Sequence, residues 1–328
     1  MTAQTWDAGQ NPSMANKVPV LFIAGTGRTG STLIGNLLAT TPGAVGVGEL
    51  RHLWTRGVGE NWRCGCGQTF EACPFWTSVI AEAFGDRDRL DLDRLRTSER
   101  DLLRLRAGVR ALGWIRDPRR IRVEHDYYIT ATDRLYRAIA KISKAEVIVD
   151  SSKTPTYGAL LSVLDSVDLR VLHLLRDPRA TAYSWINPKP SPDRGEGGTM
   201  DQIGAAKSAM LWTWWNGITD AMWFMRPDVP VARVRYERLT DDPEAILRML
   251  RDKLVPELAG RSLGVKGHIG ELDIAHTVSG NPDRMRTGSV TIVNDERWRS
   301  GLTFGRQVLV LAIAGLAMLR YGYGRKRG

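Results

Sequence analysis

The segment Gly25-Thr-Gly-Arg-Thr-Gly-Ser-Thr32 constrains the fold more than any other. It follows the apolar run Val18 to Ala24 and precedes Ser31 to Thr40, where Leu33, Ile34, Leu37 and Leu38 recur at helical spacing until Pro42-Gly43. An unbroken apolar run bounded by glycines predicts a strand buried on both faces of a parallel sheet. Glycines let the backbone fold closely around a phosphate, and free N–H groups at a helix start point at the anion. A plain connecting turn needs neither an arginine nor two hydroxyls beside its glycines.

Further runs continue the alternation. Strands are expected at Ala44–Val47, Glu146–Val149, Leu169–Leu175 and Val231–Tyr236, and helices at Asp126–Lys144, Ala205–Phe224 and Pro243–Leu254. Strands alternating with helices imply an α/β fold: three layers, α/β/α, around a central, mostly parallel sheet. Trp212, Trp214, Trp215 and Trp223 on one helix read as core packing, and Asn187–Gly198, rich in Pro and Gly, as a mobile loop.

Three classes use a glycine loop of this kind. A P-loop NTPase requires G-x-x-x-x-G-K-[ST], but Ser31 stands in place of the lysine and the chain has no Gly-Lys pair. Glu146–Asp150 still looks like a Walker B strand. A dinucleotide-binding fold fits G-x-G-x-x-G at Gly25, Gly27 and Gly30, with Glu49 placed for a ribose, and would make the chain an NAD(P)-dependent oxidoreductase. That reading leaves Arg28 unexplained. In the third class, the loop GTGRTGSTLIGNLL resembles the 5′-phosphosulfate-binding loop of sulfotransferases that use 3′-phosphoadenosine 5′-phosphosulfate (PAPS). The resemblance implies a P-loop-like sulfotransferase fold in which Arg28, Thr29, Gly30, Ser31 and Thr32 hold the 5′-phosphosulfate.

A second unit decides between them. In LRVLHLLRDPRATAYS an arginine, Arg176, ends a strand and Ser184 follows eight residues later. An arginine at the carboxyl end of a parallel strand points into the crevice where such sheets bind ligands. The segment resembles the family's 3′-phosphate motif, which implies that Arg176 and Ser184 bind the 3′-phosphate of PAPS. VRYERLTDDPEAILRML resembles the family's Tyr-Glu-x-Leu segment and places Tyr236 beside the nucleotide. HTVSGNPDRMRTGSV resembles a bacterial form of the loop closing over the 3′-phosphate, with Arg286 and Gly288 matching and Thr287 replacing a lysine. The motif pattern is nearest to tyrosylprotein-type and Golgi-like sulfotransferases and runs from about residue 18 to 300.

Sulfuryl transfer needs a base for the acceptor and cations on the phosphosulfate oxygens, and needs no metal where arginine and lysine supply the charge. Glu49 in PGAVGVGELRHLW matches the Gly-Glu that supplies the proposed base in that subgroup. A base working near neutral pH needs a raised pKa, which Arg28 would oppose. His52, His125, His173 and His276 compete for the role, though His173 lies inside an apolar strand and reads as core. Lys153 in DSSKTP resembles the lysine that contacts the bridging oxygen.

With Lys+Arg 46 and Asp+Glu 36, the net charge of +10 calls for an anionic partner. Arginines from Arg87 to Arg122 alternate with acids, so the reading there is solvated helices rather than a nucleic-acid face. Cys64, Cys66 and Cys73 are spaced C-x-C-x₆-C with His52 nearby, which invites a zinc reading, but the spacing is not that of a standard finger and does not define a fourth ligand. They read as thiols packing a loop, and no metal is assigned. Residues 1–17 read as a disordered leader without a signal peptide, and 18–328 as one domain with an acceptor-specific insertion at about 52–145. Val308–Leu319 is too short to span a bilayer, which needs about 20 residues. It reads as a buried helix, with interfacial membrane contact through Arg325-Lys326-Arg327 as the alternative. These readings give a cytoplasmic enzyme acting on a hydroxyl of a small molecule, glycolipid or secondary metabolite.

Overall fold

The computed structural model describes residues 17–85, 90–104, 107–194 and 198–323. Almost all of the expected leader and the basic tail Arg325–Arg327 lie outside the described residues.

The chain alternates from β1 (Val18–Gly25) through α1 (Ser31–Ala39) to β2 (Ala44–Gly48). A short 3₁₀ turn, Leu50–His52, and a π-helical segment, Leu53–Gly59, lead into α2 (Pro74–Phe84), α3 (Leu92–Leu103), α4 (Ala107–Arg116) and α5 (Pro118–Ser143). Next come β3 (Val147–Lys153), α6 (Pro155–Leu161), β4 (Val167–Leu175), α7 (Pro178–Ile186), α8 (Ala205–Phe224), β5 (Val231–Arg235), α9 (Tyr236–Asp241) and α10 (Pro243–Leu254). The last elements are β6 (Val265–Lys266), β7 (Ile269–Leu272), β8 (Gly288–Thr291), α11 (Trp298–Gly301) and α12 (Phe304–Arg320).

The main sheet runs β2-β3-β1-β4-β5 and is parallel throughout. Side chains alternate across a strand, and β1 shows it: Val20, Phe22 and Ala24 enter one core, Leu21 and Ile23 the other. The first core lies under α2 to α6 and the second under α1 and α10. The helices α2 to α5 of the segment 52–145 therefore pack on one sheet face, with Leu95, Trp114, Tyr128 and Tyr136 in the same core as Phe22.

Strand order bears on the alternatives. The dinucleotide-binding order 3-2-1-4-5-6 sets β2 beside β1. Here β3 lies between them, so Glu49 at the end of β2 stands one strand away from the glycine loop. Prolines open α6, α7 and α10, where their missing N–H costs nothing, and the Asp177 and Asp242 side chains cap α7 and α10. The helix expected from Asp126 begins earlier, at Pro118, and has a break at His125. Trp212 and Trp223 are core residues, whereas Trp214 is 42% exposed.

Candidate active site

The glycine loop meets its conformational demands unevenly. Gly30 is left-handed at φ 89°, and a Cβ there would lie 2.5 Å from the Tyr236 ring. Only glycine lets the loop, the α1 start and Tyr236 come together. Gly27 lies under Trp185, where a Cβ would lie 2.6 Å from Cζ2. Arg28 adopts φ 68° despite its side chain, a conformation that costs energy and gathers at functional sites. The first α1 bond runs from Ile34 N–H to Gly30 O at 3.1 Å, so the preceding amides stand outside the helix ladder. Those amides and the Ser31 and Thr32 hydroxyls offer donors to an anion. Thr29 is used otherwise: its hydroxyl donates to Thr26 O at 3.0 Å.

Arg28 stacks on Trp185, 4.8 Å from the ring centroid, and donates from Nη1 to Met200 Sδ at 3.1 Å. Its Nε and Nη2 are buried without a partner. Burial lowers its pKa, with Glu49 and Asp201 opposing. A buried cation with unused donors is costly unless an anion completes it.

Arg176 leaves the end of β4 and reaches the same loop. Its Nη1 donates to Arg28 O at 3.1 Å, and its guanidinium lies over Tyr236 at 4.8 Å. Asp295 faces it at 3.5 Å, while Nε is buried and unpartnered. Arg297, burial and Arg176 act on Asp295, leaving its carboxyl at about 2. Ser184 is half-buried on α7, and no hydrogen bond joins it to Arg176 among the described residues.

Glu49 ends β2 beside a buried cation. Its Oε1 lies 2.6 Å from Lys153 Nζ and its Oε2 2.7 Å from Arg51 Nη2. Burial opposes its ionisation, but Lys153 and Arg51 outweigh burial and hold the carboxyl well below its usual range. The raised pKa expected of a resting base is therefore absent, and Lys153 rather than Arg28 is the main opposing charge. Lys153 is left-handed at φ 67°, donates to Ser151 O at 2.9 Å, and has its pKa lowered by burial. Burial, Arg51 and Arg56 depress His52, which stays neutral 3.8 Å from Glu49.

The remaining histidines lie elsewhere. His173 is satisfied in the core by Asn216 at 3.0 Å and Asp220 at 3.4 Å, and His125 packs edge-on against Trp114. Asp150 makes no Walker B contact with the loop: it accepts from Tyr136 and from Ser152 N–H at 2.7 Å, inside the core. Arg286, Thr287 and Gly288 are exposed, and Gly288 opens β8; no hydrogen bond or ion pair joins them to the glycine loop among the described residues. The buried arginine of that segment is Arg284, bound to Asp193 at 3.0 Å and to Arg63 O at 2.7 Å.

The thiols do more than pack a loop. His276 Nδ1 lies 3.3 Å from Cys73 Sγ and 3.7 Å from Cys64 Sγ, supplying the fourth group that the spacing lacked. Sequence reasoning also missed Trp185, Arg51 and Asp295. Trp185 directly follows Ser184, and that adjacency is its only signal. Arg51 reads in sequence as one more surface arginine.

A sequence model of the sulfotransferase family matches residues 19–257, and the chain belongs to that family. The family fits the geometry just described, in which buried Arg176 and half-buried Arg28 meet at a glycine loop beside a carboxylate–lysine pair. No curated protein matches the sequence. Among solved structures, the sulfotransferase domain from the Synechococcus PCC 7002 olefin synthase is similar at 19% identity and TM-score 0.46, covering 93% of this chain and 98% of that one. The chain is thus an α/β sulfotransferase, built for sulfuryl transfer.

Proposed function

We propose that the enzyme transfers the sulfuryl group of PAPS to a hydroxyl of a small-molecule, glycolipid or secondary-metabolite acceptor. The observation that carries this is the meeting of half-buried Arg28 and buried Arg176 on one loop, with Nε and Nη2 of Arg28 and Nε of Arg176 buried without a partner. The two arginines serve a donor with two anionic ends: Arg28 and the α1 amides the 5′-phosphosulfate, Arg176 the 3′-phosphate. Tyr236 fixes the spacing between them, and Ser184 joins Arg176 once the phosphate displaces Asp295.

In the transfer, the acceptor oxygen bonds to sulfur as the bond from sulfur to the bridging phosphate oxygen breaks. The acceptor proton goes to Glu49, and 3′,5′-ADP leaves with its new charge met by Lys153 and Arg28. Lys153 now binds Glu49. A bridging oxygen competing for Lys153 weakens that pair, so donor binding itself raises the basicity of Glu49. Fixed donors at a developing charge are commonly worth ~10²–10³ in rate.

The acidic partners of the arginines at 104–122, such as Asp101, Asp117, Glu124 and Asp165, support a solvated surface there rather than a nucleic-acid face. The odd, clustered count of Cys64, Cys66 and Cys73 supports a cytoplasmic compartment over a secreted disulfide framework. Calorimetry with 3′,5′-ADP and no added Mg²⁺ tests the reading. Tight binding lost in Arg176→Ala is expected, and binding of NAD(H) instead would overturn it. Transfer of ³⁵S from labelled PAPS into an extract of the native cell identifies the acceptor.

A further inference from the structure

We propose that Cys64, Cys66, Cys73 and His276 hold one structural zinc ion that ties the acceptor-side insertion to the segment beside Glu49. This inference stands on geometry separate from the glycine loop and does not depend on PAPS being the donor. One ligand atom from each of the four residues lies within 4.8 Å of all the others. The closest pairs match a coordination tetrahedron. With Zn–S bonds of ~2.3 Å and Zn–N bonds of ~2.0–2.1 Å, a tetrahedral site has S···S edges of ~3.8 Å and S···N edges of ~3.6 Å. Cys66 to Cys73 is 3.7 Å and Cys73 to Cys64 is 3.6 Å. His276 Nδ1 lies 3.3 Å and 3.7 Å from the Cys73 and Cys64 sulfurs. A disulfide, at ~2.05 Å, does not fit these separations.

The surrounding backbone is shaped to aim the thiols. Gly67 N–H donates to Cys64 O at 2.9 Å and Cys64 N–H to Gln68 O at 2.8 Å, folding a tight turn over which Gly67 takes φ 87°. Gly65 N–H donates to Thr277 O at 3.0 Å, and a Cβ on Gly65 would meet Ala275 O at 2.3 Å. Only a glycine lets the knuckle press so closely on the chain carrying His276. Phe75, one residue into α2, stacks on the His276 ring at 4.8 Å and sets its orientation. Three soft thiolates and one imidazole with no open position form a closed structural set that favours zinc over harder ions.

The ion would act at a distance. Two residues after His276, Val278 O accepts from Glu49 N–H at 2.8 Å, and Val278 N–H donates to Val47 O at 2.8 Å. Arg56 Nη1 donates to Ser279 Oγ at 2.7 Å, and Gly280 packs on the Glu49 side chain. Holding His276 therefore holds the strand-like segment that positions Glu49.

Elemental analysis of the untagged full chain, purified without chelator, is expected to give one zinc per chain. Replacement by Co²⁺ is expected to give the intense visible bands of tetrahedral thiolate–cobalt. Cys73→Ser and His276→Ala should lose the metal, and chelation should lower the melting temperature of the wild type but not of Cys73→Ser. Because the buried cysteine variants can fail to fold, Cys66→Ser, at the most accessible of the three thiols, is measured too, and weaker cobalt binding with the fold retained is expected. A folded wild type with less than a tenth of an equivalent of zinc and no cobalt bands would overturn the proposal, as would stoichiometric iron or a Cys66–Cys73 disulfide by mass.

Discussion

Glu49 has two charged neighbours at contact distance, and they can be removed separately. Lys153 is the residue proposed for the leaving oxygen, whereas Arg51 touches only the far carboxylate oxygen, through Nη2. An arginine beside a carboxylate lowers its pKa by roughly 1–3 units. Arg51→Met keeps the backbone N–H that donates to Ser152 Oγ and removes that charge. If Glu49 is the base, the acid limb of the kcat/KM profile should move to higher pH by about 1–3 units, because losing the cation raises the Glu49 pKa. An unmoved limb would remove Glu49 from the role, and so would near-normal turnover in Glu49→Gln with 3′,5′-ADP still bound. Gly30 permits a second measurement at this scale. A Cβ in the left-handed region costs roughly 1–3 kcal/mol, and here it also drives into Tyr236. Gly30→Ala should therefore weaken 3′,5′-ADP binding at least tenfold, by calorimetry, in a protein whose circular dichroism is unchanged. Arg28, Arg176 and Tyr236 were legible in the sequence because each sits at a fixed offset from a strand end. His276 was not legible as a partner of the thiols, because the fold rather than spacing brings it to them, and Arg51, two residues from Glu49, carries no pattern that sets it apart from other arginines.

At the scale of elements, the strands of the main sheet were readable as continuous apolar runs, since burial on both faces leaves no polar alternation. β3 outran its apolar run: Asp150, Ser151 and Ser152 extend it because Tyr136 and the Asp150 side chain satisfy its polar groups. The antiparallel β6-β7-β8 sheet was not anticipated, because strands of two to four residues carry too little pattern. The π-helical segment Leu53–Gly59 was equally silent, and its stability depends on a distant residue. Glu99 on α3 accepts from Trp54 N–H at 3.0 Å and Thr55 N–H at 3.3 Å, while its other oxygen is buried without a partner. Burial raises its pKa from 4.5 to about 7 despite those bonds. A folded pKa above the unfolded one means that the protonated form stabilises the fold. That contribution is complete below about pH 4.5 and is lost as pH rises through about 7. Glu99→Gln mimics the neutral acid at every pH. Its stability relative to wild type should be about 2 kcal/mol more favourable at pH 8 than at pH 5.5, at about 1.4 kcal/mol per unit. Urea unfolding at the two pH values measures this, and a pH-independent difference would contradict it. Asp150, raised to about 6 chiefly by burial, adds the same slope to both proteins and cancels.

At the scale of the whole molecule, many of the 46 basic residues are held in ion pairs, but the excess of +10 over the acids remains, and α12 is the element left to be explained. Among the described residues no helix is long and apolar enough to cross a membrane. The expectation of a buried helix holds for one face only. Val310, Ala314 and Met318 pack against Trp212, while Phe304 and Leu316 are 82% and 87% exposed, with Val308, Leu311 and Leu319 also in solvent. A helix that is apolar all round is stable only where both sides are covered. Its ionisable residues, Arg306 and Arg320, are basic and the segment has no acid, with Arg320 paired to Asp220 of α8 at 3.0 Å. An apolar face with basic residues at its edges matches an anionic lipid surface better than a second copy of a chain that is itself +10. We propose that α12 rests on such a surface, which would also bring the enzyme to a glycolipid acceptor. The full protein should sediment with vesicles of phosphatidylglycerol and phosphatidylcholine at low salt and be released as salt rises, since surface charge is screened within about 10 Å at 0.1 M. Leu316→Asp with Leu319→Asp should weaken vesicle binding at least tenfold and leave 3′,5′-ADP binding intact, because both side chains face solvent. Protein that stays in solution at low salt would refute the lipid assignment. A concentration-dependent dimer abolished by the same pair of substitutions would give this face to a second copy instead.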